Sequence, residues 1–455
     1  MSKKNKQPEL SGLLVVDKPL GVTSHDVVAA VRGELHMRRV GHAGTLDPQA
    51  SGVLVIGFGH GTRLLNYIVD HTKTYEATIR LGQTSTTDDS EGEITTVAPV
   101  RLADGAEGET AEIVSAPLAD GSRQLSDSTS DSDGSSGSVR VLTIEQIEQT
   151  IAEHLTGDIE QVPSSYSAVR VNGRHAYELA RQGKAVTLDA RPVTISEFTV
   201  LGARNVEIVD SEAVGEKSET PTNANVASAG GTDETGERKA VKTAASSSDT
   251  QTDTSDFDDN GNKQTAAATS VVDLDVRISC STGTYIRSLG RDLGRLLGVG
   301  GYLTKLRRTR VGRFDLADSQ LAGRVVTAHA KPHTFTNREG VTLTLNKAVL
   351  DVDAEELKRR SLTMLEAAQR TMPTIPITDA AAQNLRFGRR LPMPVADNTD
   401  SNTIPGADSC AQNDRSNGTN TIAAVYLPQT GEIVGIVEPA NAHELKSVVV
   451  FPPTV

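Results

Sequence analysis

The carboxylate of Asp47 stands in a short turn bounded by glycines, within the sequence GHAGTLDPQASGVL (residues 41–54). An aspartate before a proline is common in turns, where its carboxylate accepts hydrogen bonds from nearby backbone N–H groups. Neighbouring glycines also let a substrate approach the backbone closely, and a turn exposes its side chains. Asp47 is therefore either a turn-forming residue or a nucleophile or base presented to a substrate.

A carboxylate nucleophile has to be ionised, and a nearby cation favours the ionised form. Arg287, which follows the sequence STGTY, is a candidate for that cation. However, Arg287, Arg291 and Arg295 recur every four residues, which is also typical of the solvated face of a helix. The spacing alone leaves both interpretations open.

Two aromatic side chains could assist such a site. Tyr75 falls on the apolar face of a predicted strand, which favours core packing, but a tyrosine can also stack on a nucleobase and present its hydroxyl group. His42 is either an ordinary loop histidine or a flat wedge that enters a nucleic-acid loop. Neither residue is decisive by itself.

A basic cluster lies in the sequence KLRRTRVGRF. It comprises Lys305, Arg307, Arg308, Arg310 and Arg313. The cluster is either a basic surface loop or an edge that binds phosphate groups, and we favour the phosphate-binding edge.

The net charge of −13 does not exclude a nucleic-acid partner, because the acidic residues are concentrated. Residues 101–140, 211–270 and 396–421 together contain 23 acidic and nine basic side chains, so the rest of the chain is close to neutral. These stretches are rich in Ser, Thr, Asp and Gly and cannot bury enough apolar surface to offset ordering. We expect disordered acidic insertions at about 101–140, 208–268 and 396–421.

Several classes of site have no sequence signature here. The chain contains no G-x-x-x-x-G-K-[ST] loop, no strand-linked G-x-G-x-x-G and no metal-ligand cluster, so we expect an enzyme without nucleotide, nicotinamide or metal. The apolar run LLVV near the N-terminus ends at Asp17, too short for a signal peptide or a membrane span. The prediction is a cytoplasmic protein.

Strand and helix patterns alternate along the remaining chain. GLLVVDKP and TYEATIRLG read as strands, and a helix capped by Thr23 or Ser24 follows the first. TGTYIRSLGRDLGRLLG reads as a helix that buries Ile286, Leu289, Leu293 and Leu296. After about residue 375, a short helix and a hairpin around Gly431 indicate a small β-rich domain. The predicted fold class is α+β.

Taken together, these motifs resemble the TruB family of tRNA pseudouridine synthases, which isomerise uridine 55 in the T-loop of tRNA. The resemblance rests on VVDKPLGVTSHDVV, GHAGTLDPQASGVLVIGFG, KTYEATIRLGQTSTTDDSEG, QVPSSYSAVRVNGRHAYELARQG, RPVTI and CSTGTYIRSLGRDLG…LRRTRVG. It covers roughly residues 12–97, 141–205 and 271–318 in order, and the first two insertions fall between these blocks.

The resemblance implies a catalytic domain over residues 10–322, with a mixed or antiparallel sheet and flanking helices. A helical or linker segment at 323–373 would follow, and then a PUA-like RNA-binding domain at 374–455. By the same resemblance the partner is the T-stem-loop of tRNA, with no membrane, metal or cofactor, and the protein is a monomer.

The resemblance also assigns roles to residues. Asp47 is the catalytic nucleophile and Arg287 its ion-pair partner. Tyr75 stacks on the target uracil, and His42 wedges into the T-loop. Tyr285 and Leu306 line the uracil pocket.

Two other functions stay open at this point. A non-catalytic module that binds and refolds tRNA would explain the basic cluster and the PUA-like domain without chemistry. A related RNA-guided pseudouridine synthase would need protein partners.

Overall fold

The computed structural model describes residues 10–69, 71–103, 139–209, 268–337, 340–393 and 422–453, together with the backbone of 112–115. The three predicted acidic insertions lie largely outside these described residues. Most of the described residues within them belong to β-strands, at 101–102, 112–115, 140, 208–209 and 268.

The described residues form eight α-helices and 23 strands. The helices are α1 (Ser24–Leu35), α2 (Leu65–Val69), α3 (Ile144–His154), α4 (Ala176–Ala180), α5 (Ile286–Leu297), α6 (Ala354–Arg360), α7 (Met364–Thr371) and α8 (Asp379–Arg386). The strands are β1 (Gly12–Lys18), β2 (Val40–Ala43), β3 (Ala50–Phe58), β4 (Lys73–Leu81), β5 (Gln83–Ser85), β6 (Ile94–Thr96), β7 (Val100–Leu102), β8 (Glu112–Ser115), β9 (Arg140–Leu142), β10 (Gly157–Gln161), β11 (Arg170–Val171), β12 (Arg174–His175), β13 (Arg191–Val209), β14 (Ala268–Cys280), β15 (Gly301–Val311), β16 (Phe314–Asp315), β17 (Val325–Thr336), β18 (Thr342–Leu350), β19 (Thr374–Pro376), β20 (Leu391–Pro392), β21 (Ala423–Leu427), β22 (Glu432–Pro439) and β23 (Glu444–Val450).

A twelve-stranded mixed sheet dominates the described part of the chain. Its main order is β10-β13-β14-β4-β15-β3-β1-β17-β18, with β2, β8 and β16 paired at the side. Most neighbours are antiparallel, but β1 with β17 and β3 with β15 are parallel. The sheet and its flanking helices confirm the predicted α+β class.

Helix α1 begins where its sequence predicts. Thr23 and Asp26 form a capping box, in which each side chain accepts a hydrogen bond from the backbone N–H of the other. Val27 and Val31 of α1 pack with Val16 of β1 in one hydrophobic cluster, because residues four apart share one helix face. The cap and this apolar stripe fix α1 against the end of β1.

Helix α5 lies on the same sheet and ends at Gly298, whose φ of 69° is favourable for glycine. Ile286, Leu289 and Leu293 are buried as predicted. The prediction for Leu296 was wrong, because this side chain is 39% exposed. Leu297 packs against the core instead, since it stands just over three full turns after Ile286 and so shares its face.

The segment at 323–373 was expected to be helical or a linker. It begins with the long hairpin of β17 and β18, which joins the main sheet through β1. Among its described residues, α6 and α7 are helical. The run VVTAHAKPHTFT is rich in Val and Thr, which favour strands, and its pairing with β1 extends the main sheet beyond residue 322.

A second sheet of five strands, ordered β19-β21-β22-β23-β20, forms with α8 the C-terminal part. The predicted hairpin is present as β21 and β22, with Gly431 in its turn at a φ of 69°. Ile433, Ile436 and Phe451 share a hydrophobic cluster with Leu13 and Val15 of the main sheet. The two sheets are therefore held together by apolar contact.

Gly52, five residues after Asp47, lies against strand β15. Gly52 pairs with Arg308, and its φ of +104° is strained for any other residue. A Cβ atom at this position would stand 2.1 Å from the carbonyl oxygen of Arg308. The parallel pairing that positions the turn before β3 thus requires glycine.

We predict that Gly52→Ala lowers the free energy of unfolding by at least about 2 kcal/mol, through backbone strain and the clash with Arg308. Urea unfolding would measure the loss. Gly33→Ala in α1 is the control, since its Cβ would meet nothing within 4 Å. That change should stabilise by about 0.5–1 kcal/mol. Equal unfolding midpoints for the two variants would contradict the close approach.

Candidate active site

Asp47 and Arg287 meet in space although they are far apart in sequence. Asp47 lies in the turn between β2 and β3, and Arg287 is in the first turn of α5. The Nη2 atom of Arg287 is 3.0 Å from Oδ2 of Asp47. The Asp47 side chain is 45% exposed, whereas that of Arg287 is only 9% exposed. A fixed cation therefore stands behind a carboxylate that solvent and substrate can reach.

Three further groups hold the guanidinium of Arg287. Its Nη1 donates to the carboxylate of Asp89 at 3.1 Å and to the backbone carbonyl of Thr87 at 3.1 Å. Its Nη2 donates to the carbonyl of Tyr166 at 3.0 Å. Asp89 is itself buried. The arginine bridges one buried and one accessible carboxylate, and this arrangement fixes its orientation.

The arginine series along α5 is not a uniform solvated face. The side-chain exposure rises from 9% at Arg287 to 28% at Arg291 and 73% at Arg295. Arg291 pairs with Asp88 at 3.2 Å, next to the pair formed by Arg287 and Asp89. The interpretation as a solvated face therefore fits Arg295 and fails for Arg287.

Arg308 clamps the turn that carries Asp47. The side chain is fully buried and donates to the carbonyl groups of Gly44 at 3.0 Å and Val53 at 2.9 Å. These carbonyls lie on either side of Asp47 in the sequence. Arg308 thus holds both ends of the turn.

The predicted phosphate-binding edge is wrong for Arg308, because alternation along β15 turns this residue inward. Arg307 points to the other side and pairs with Asp17 at 2.7 Å. Lys305 is exposed and lines the cavity beside Asp47. Of the other two residues in the cluster, Arg310 donates to the hydroxyl of Thr74 at 3.0 Å and Arg313 to the carbonyl of Gln369 at 3.3 Å. The basic cluster is therefore divided among an internal clamp, an ion pair, two arginines with neutral partners and one exposed lysine near the site.

Lys18 is a second buried cation near Asp47. Its ammonium group donates to the carbonyl of Val22 at 2.7 Å and of Pro19 at 2.9 Å. Burial lowers the pKa of Lys18 to about 8, and the charges of Asp47 and Asp26 oppose that shift. The backbone N–H of Gly21 donates to the carbonyl of Pro48 at 2.8 Å, which ties this loop to the turn.

Tyr75 lies on β4 directly opposite Arg308 of β15 and is buried. It shares a hydrophobic cluster with Leu46 and Ala50, which flank Asp47. Burial raises the pKa of Tyr75, and the positive charge of Arg308 opposes the rise. The phenol therefore keeps its proton and can serve as a hydrogen-bond donor.

His42 lies on β2, and its ring stands edge-on to that of His25 with centroids 5.4 Å apart. Its Nδ1 atom is buried and has no hydrogen-bond partner among the described residues. Burial, then the charges of His25 and Arg308, lower the pKa of His42 from 6.5 to about 4. The ring is neutral at physiological pH and is available as an uncharged surface.

A cavity opens beside the ion pair. Its lining includes Asp47, Ala50, Arg287, Leu303 and Leu306. Of the sequence-predicted residues, the structure thus brings Asp47, Arg287 and Leu306 to one cavity. The described residues that line this cavity do not include Tyr75, Tyr285 or His42.

Tyr285 precedes α5 and is half-buried. The buried side chain of Gln161 accepts a hydrogen bond from the backbone N–H of Tyr285 at 2.8 Å and donates one to the backbone carbonyl of Tyr285 at 3.1 Å. This two-point contact sets the backbone that leads into Arg287.

Three residues that build the site were not singled out from the sequence. They are Lys18, Asp89 and Gln161. Arg308 was singled out, but as part of a phosphate-binding edge. Asp89, Gln161 and Arg308 act through partners that only the fold brings close, whereas Lys18 bonds to the nearby carbonyls of Pro19 and Val22. All four residues occur inside the motifs quoted above, but a polar residue in a motif gives no sign of its partner.

Two further findings concern ions and membranes. No group of three His, Cys, Asp or Glu side chains within the described ranges is arranged to hold a metal ion. No helix in the described part of the chain has both the length and the apolar character that crossing a membrane would need.

Two family models match the chain. The model described as "TruB family pseudouridylate synthase (N terminal domain)" matches residues 32–114 and 120–216. The model described as "tRNA pseudouridylate synthase B C-terminal domain" matches residues 287–354. The two matches include Asp47 and Arg287.

Curated relatives extend the similarity over nearly the whole chain. "tRNA pseudouridine synthase B" of Bifidobacterium longum (strain NCC 2705) is 44% identical over 465 residues, covering 97% of this chain and 98% of the relative. The protein of the same name from Mycobacterium bovis (strain BCG / Pasteur 1173P2) is 35% identical over 80% of this chain and 85% of the relative. A solved Cbf5–Nop10–Gar1 complex is similar at a TM-score of 0.47 and 18% identity, covering 97% of this chain and 85% of that chain. Such a low TM-score supports no structural inference.

The neutral state of the half-buried His42 predicts a pH-dependent stability. The pKa of His42 is about 4 in the folded protein, against an ordinary value of 6.5. At pH values between these two, His42 binds a proton in the unfolded chain but not in the folded protein. The stabilisation is full above pH 6.5 and is lost as the pH falls through about 4. We predict that His42→Gln reduces the loss of unfolding free energy between pH 6.5 and pH 4.5.

Urea unfolding at several pH values would measure this slope. His154→Gln is the control, since His154 is half-exposed on α3. The same slope for wild type and His42→Gln would contradict the half-buried, neutral state.

Proposed function

The chain belongs to the TruB family of pseudouridine synthases, and we propose that Asp47 is the nucleophile with which it acts. Its activity is that of its curated relatives: it is an isomerase that converts uridine 55 of tRNA to pseudouridine. The observation that carries the assignment of Asp47 is its half-exposed carboxylate, 3.0 Å from a guanidinium that is fixed by Asp89 and two carbonyls.

The reaction requires access to a base that is normally stacked. A uridine in a folded RNA loop has to leave its stack before a side chain can reach its glycosidic bond. The Asp47 carboxylate then attacks the nucleotide, at C1′ of the sugar or at C6 of the ring. The bond from N1 to the sugar breaks, the uracil turns within the cavity, and a bond from C5 to C1′ forms while the bond to Asp47 breaks. A proton leaves C5 and N1 gains one, so the product is an isomer of the substrate.

One accessible carboxylate suits this isomerisation. A glycosidase places two carboxyl groups on either side of the scissile bond and leaves room for water. Asp89 is the second carboxylate near this site, but it is buried and bound by Arg287. It is therefore a positioning group, and the detached base is the acceptor.

The other residues have separate proposed roles. Arg287 holds the Asp47 carboxylate in the direction of the nucleotide. Tyr75 stacks on the uracil. Burial raises the pKa of its phenol, which therefore keeps its proton and can relay a proton while the C5 proton is removed. Leu306, which borders the cavity, and Tyr285, which does not border it in this structure, contact the bound uracil in this proposal. Neutral His42 fills the space in the T-loop that the flipped base leaves.

The proposed tRNA complex uses both domains that the resemblance implies. We propose that the main-sheet domain binds the T-stem-loop and that the five-stranded sheet with α8 is a PUA-like RNA-binding domain. We further propose that the protein acts as a cytoplasmic monomer and needs no guide RNA or protein partner.

Asp47→Asn removes the nucleophile and leaves the shape of the side chain. We predict at least about a thousandfold lower rate of pseudouridine formation, because a neutral amide cannot replace the carboxylate in the attack. Release of tritium from C5 of labelled uridine in a T-stem-loop transcript would measure the rate.

The affinity of this variant for the transcript should stay within a few-fold of wild type. A variant that retains turnover would identify a purely RNA-binding role for Asp47. Wild-type protein that folds and binds the transcript but leaves the loop uridine unchanged would refute the proposed function.

Asp89→Asn tests the support behind Arg287. Hydrogen bonds to charged groups contribute about 1.5–3 kcal/mol, so we predict a roughly ten- to hundredfold lower kcat, with little change in tRNA affinity. Asp88→Asn is the matched control, because Asp88 is also buried but pairs with Arg291. Equal losses of kcat in the two variants would show that burial of charge, rather than the contact with Arg287, matters here.

A further inference from the structure

The hairpin of β17 and β18 extends beyond the core of the main sheet. Ala328 and Ala348 are its last residues in a hydrophobic cluster with α1. Beyond Ala328 every residue of β17 up to Thr336 is exposed. This part of the hairpin adds little to the core, so its side chains are free to serve another purpose.

One face of the extended hairpin is basic. Lys331 stands directly opposite Lys347 across the two strands. Because successive strand residues alternate between faces, His329 and His333 share the face of Lys331. Like charges directly opposite each other destabilise a strand pair. The pair of Lys331 and Lys347 therefore lowers the stability of the hairpin.

No acidic side chain offsets this charge within the described residues. Neither Lys331 nor Lys347 forms an ion pair among them. In the sequence from 325 to 350 the only acid is Glu339. The chain as a whole carries a net charge of −13, so the basic face departs from the composition of the protein.

Flat rings extend the same face. Phe335 is 38% exposed, and its ring is nearly parallel to that of His333, with centroids 6.2 Å apart. Basic side chains that alternate with exposed rings are typical of surfaces that bind RNA, where lysines contact phosphates and rings contact bases or sugars. A partner protein with an acidic surface would not require the exposed rings.

The hairpin begins next to the candidate active site. Strand β17 pairs with β1, whose last residue is the buried Lys18. The side-chain amide of Asn346 in β18 lies against Gly21, whose backbone N–H donates to the carbonyl of Pro48, the neighbour of Asp47. Asn346 precedes Lys347 and therefore lies on the opposite face of the hairpin. One loop thus separates the base of the hairpin from the turn of Asp47.

We propose that the face of Lys331, Lys347, His333 and Phe335 binds the phosphate backbone of the substrate tRNA, outside the nucleotide that enters the cavity. This proposal rests on the proposed function for the identity of the RNA. An exposed lysine on an edge strand can also serve to prevent association with other strands. The two explanations predict different effects of the same substitution.

Lys331→Glu separates binding from stability. It replaces the Lys–Lys pair by a Glu–Lys pair, so the thermal unfolding midpoint should stay equal or rise. At the same time, the dissociation constant for a full-length tRNA transcript should rise about fivefold or more near 100 mM salt. The slope of log affinity against log salt should decrease by about one.

Lys358→Glu is the control, because it makes the same change in net charge on α6, where Lys358 is exposed and paired with Glu355. It should leave the affinity for tRNA and the salt slope close to wild type. Unchanged tRNA binding by Lys331→Glu, or an equal loss in both variants, would overturn the proposal. Larger oligomers of Lys331→Glu with unchanged tRNA binding would assign the lysines to protection of the strand edge and would also overturn it.

The binding assay does not depend on turnover. If wild type binds tRNA and Lys331→Glu weakens that binding, the hairpin binds RNA even where no pseudouridine forms. In that case the proposed function alone fails.

Discussion

The position of Arg287 between two carboxylates is the interaction on which the site depends. A buried guanidinium is costly unless its donors are satisfied, and here two carboxylates and two backbone carbonyls satisfy it. Asp89 and the carbonyls hold the arginine, and although Asp89 also borders the cavity, Asp89 is buried whereas the Asp47 side chain is 45% exposed. The cation consequently sets the place of the one carboxylate that substrate can reach.

The rest of the fold serves to hold the Asp47 turn against this arginine. Arg308 and Lys18 are both buried, and each uses backbone carbonyls as partners. Gly52 allows β3 to approach β15 closely enough for the parallel pairing that places Arg308. Three cations therefore surround the turn, two as structural clamps and one in contact with the carboxylate. Their combined positive charge also favours the approach of an anionic RNA.

The local structure around the site could be predicted from the sequence because its signals are local. Thr23 and Asp26 stand three residues apart and cap α1, and the apolar stripe of α5 follows helical spacing. The resemblance of the motifs located Asp47, but the role of Asp89 depends on Arg287, which lies 198 residues away. The role of Arg308 likewise depends on partners far away in the sequence, Gly44 and Val53. Its place in a run of basic residues had indicated a surface position instead. The hairpin of β17 and β18 was missed because its strand character depends on pairing with β1, at the opposite end of the chain.

A double-mutant cycle on Arg287 and Asp89 tests the central claim most directly. Lysine at position 287 has a compact ammonium group that cannot bridge both carboxylates. The single-turnover rate of pseudouridine formation would be measured for Arg287→Lys, Asp89→Asn and the double variant. If Asp89 acts only by orienting Arg287 towards Asp47, the double variant should lose no more than the more impaired single variant. Losses that multiply would show that the two residues act independently and would contradict a site organised around one bridging arginine.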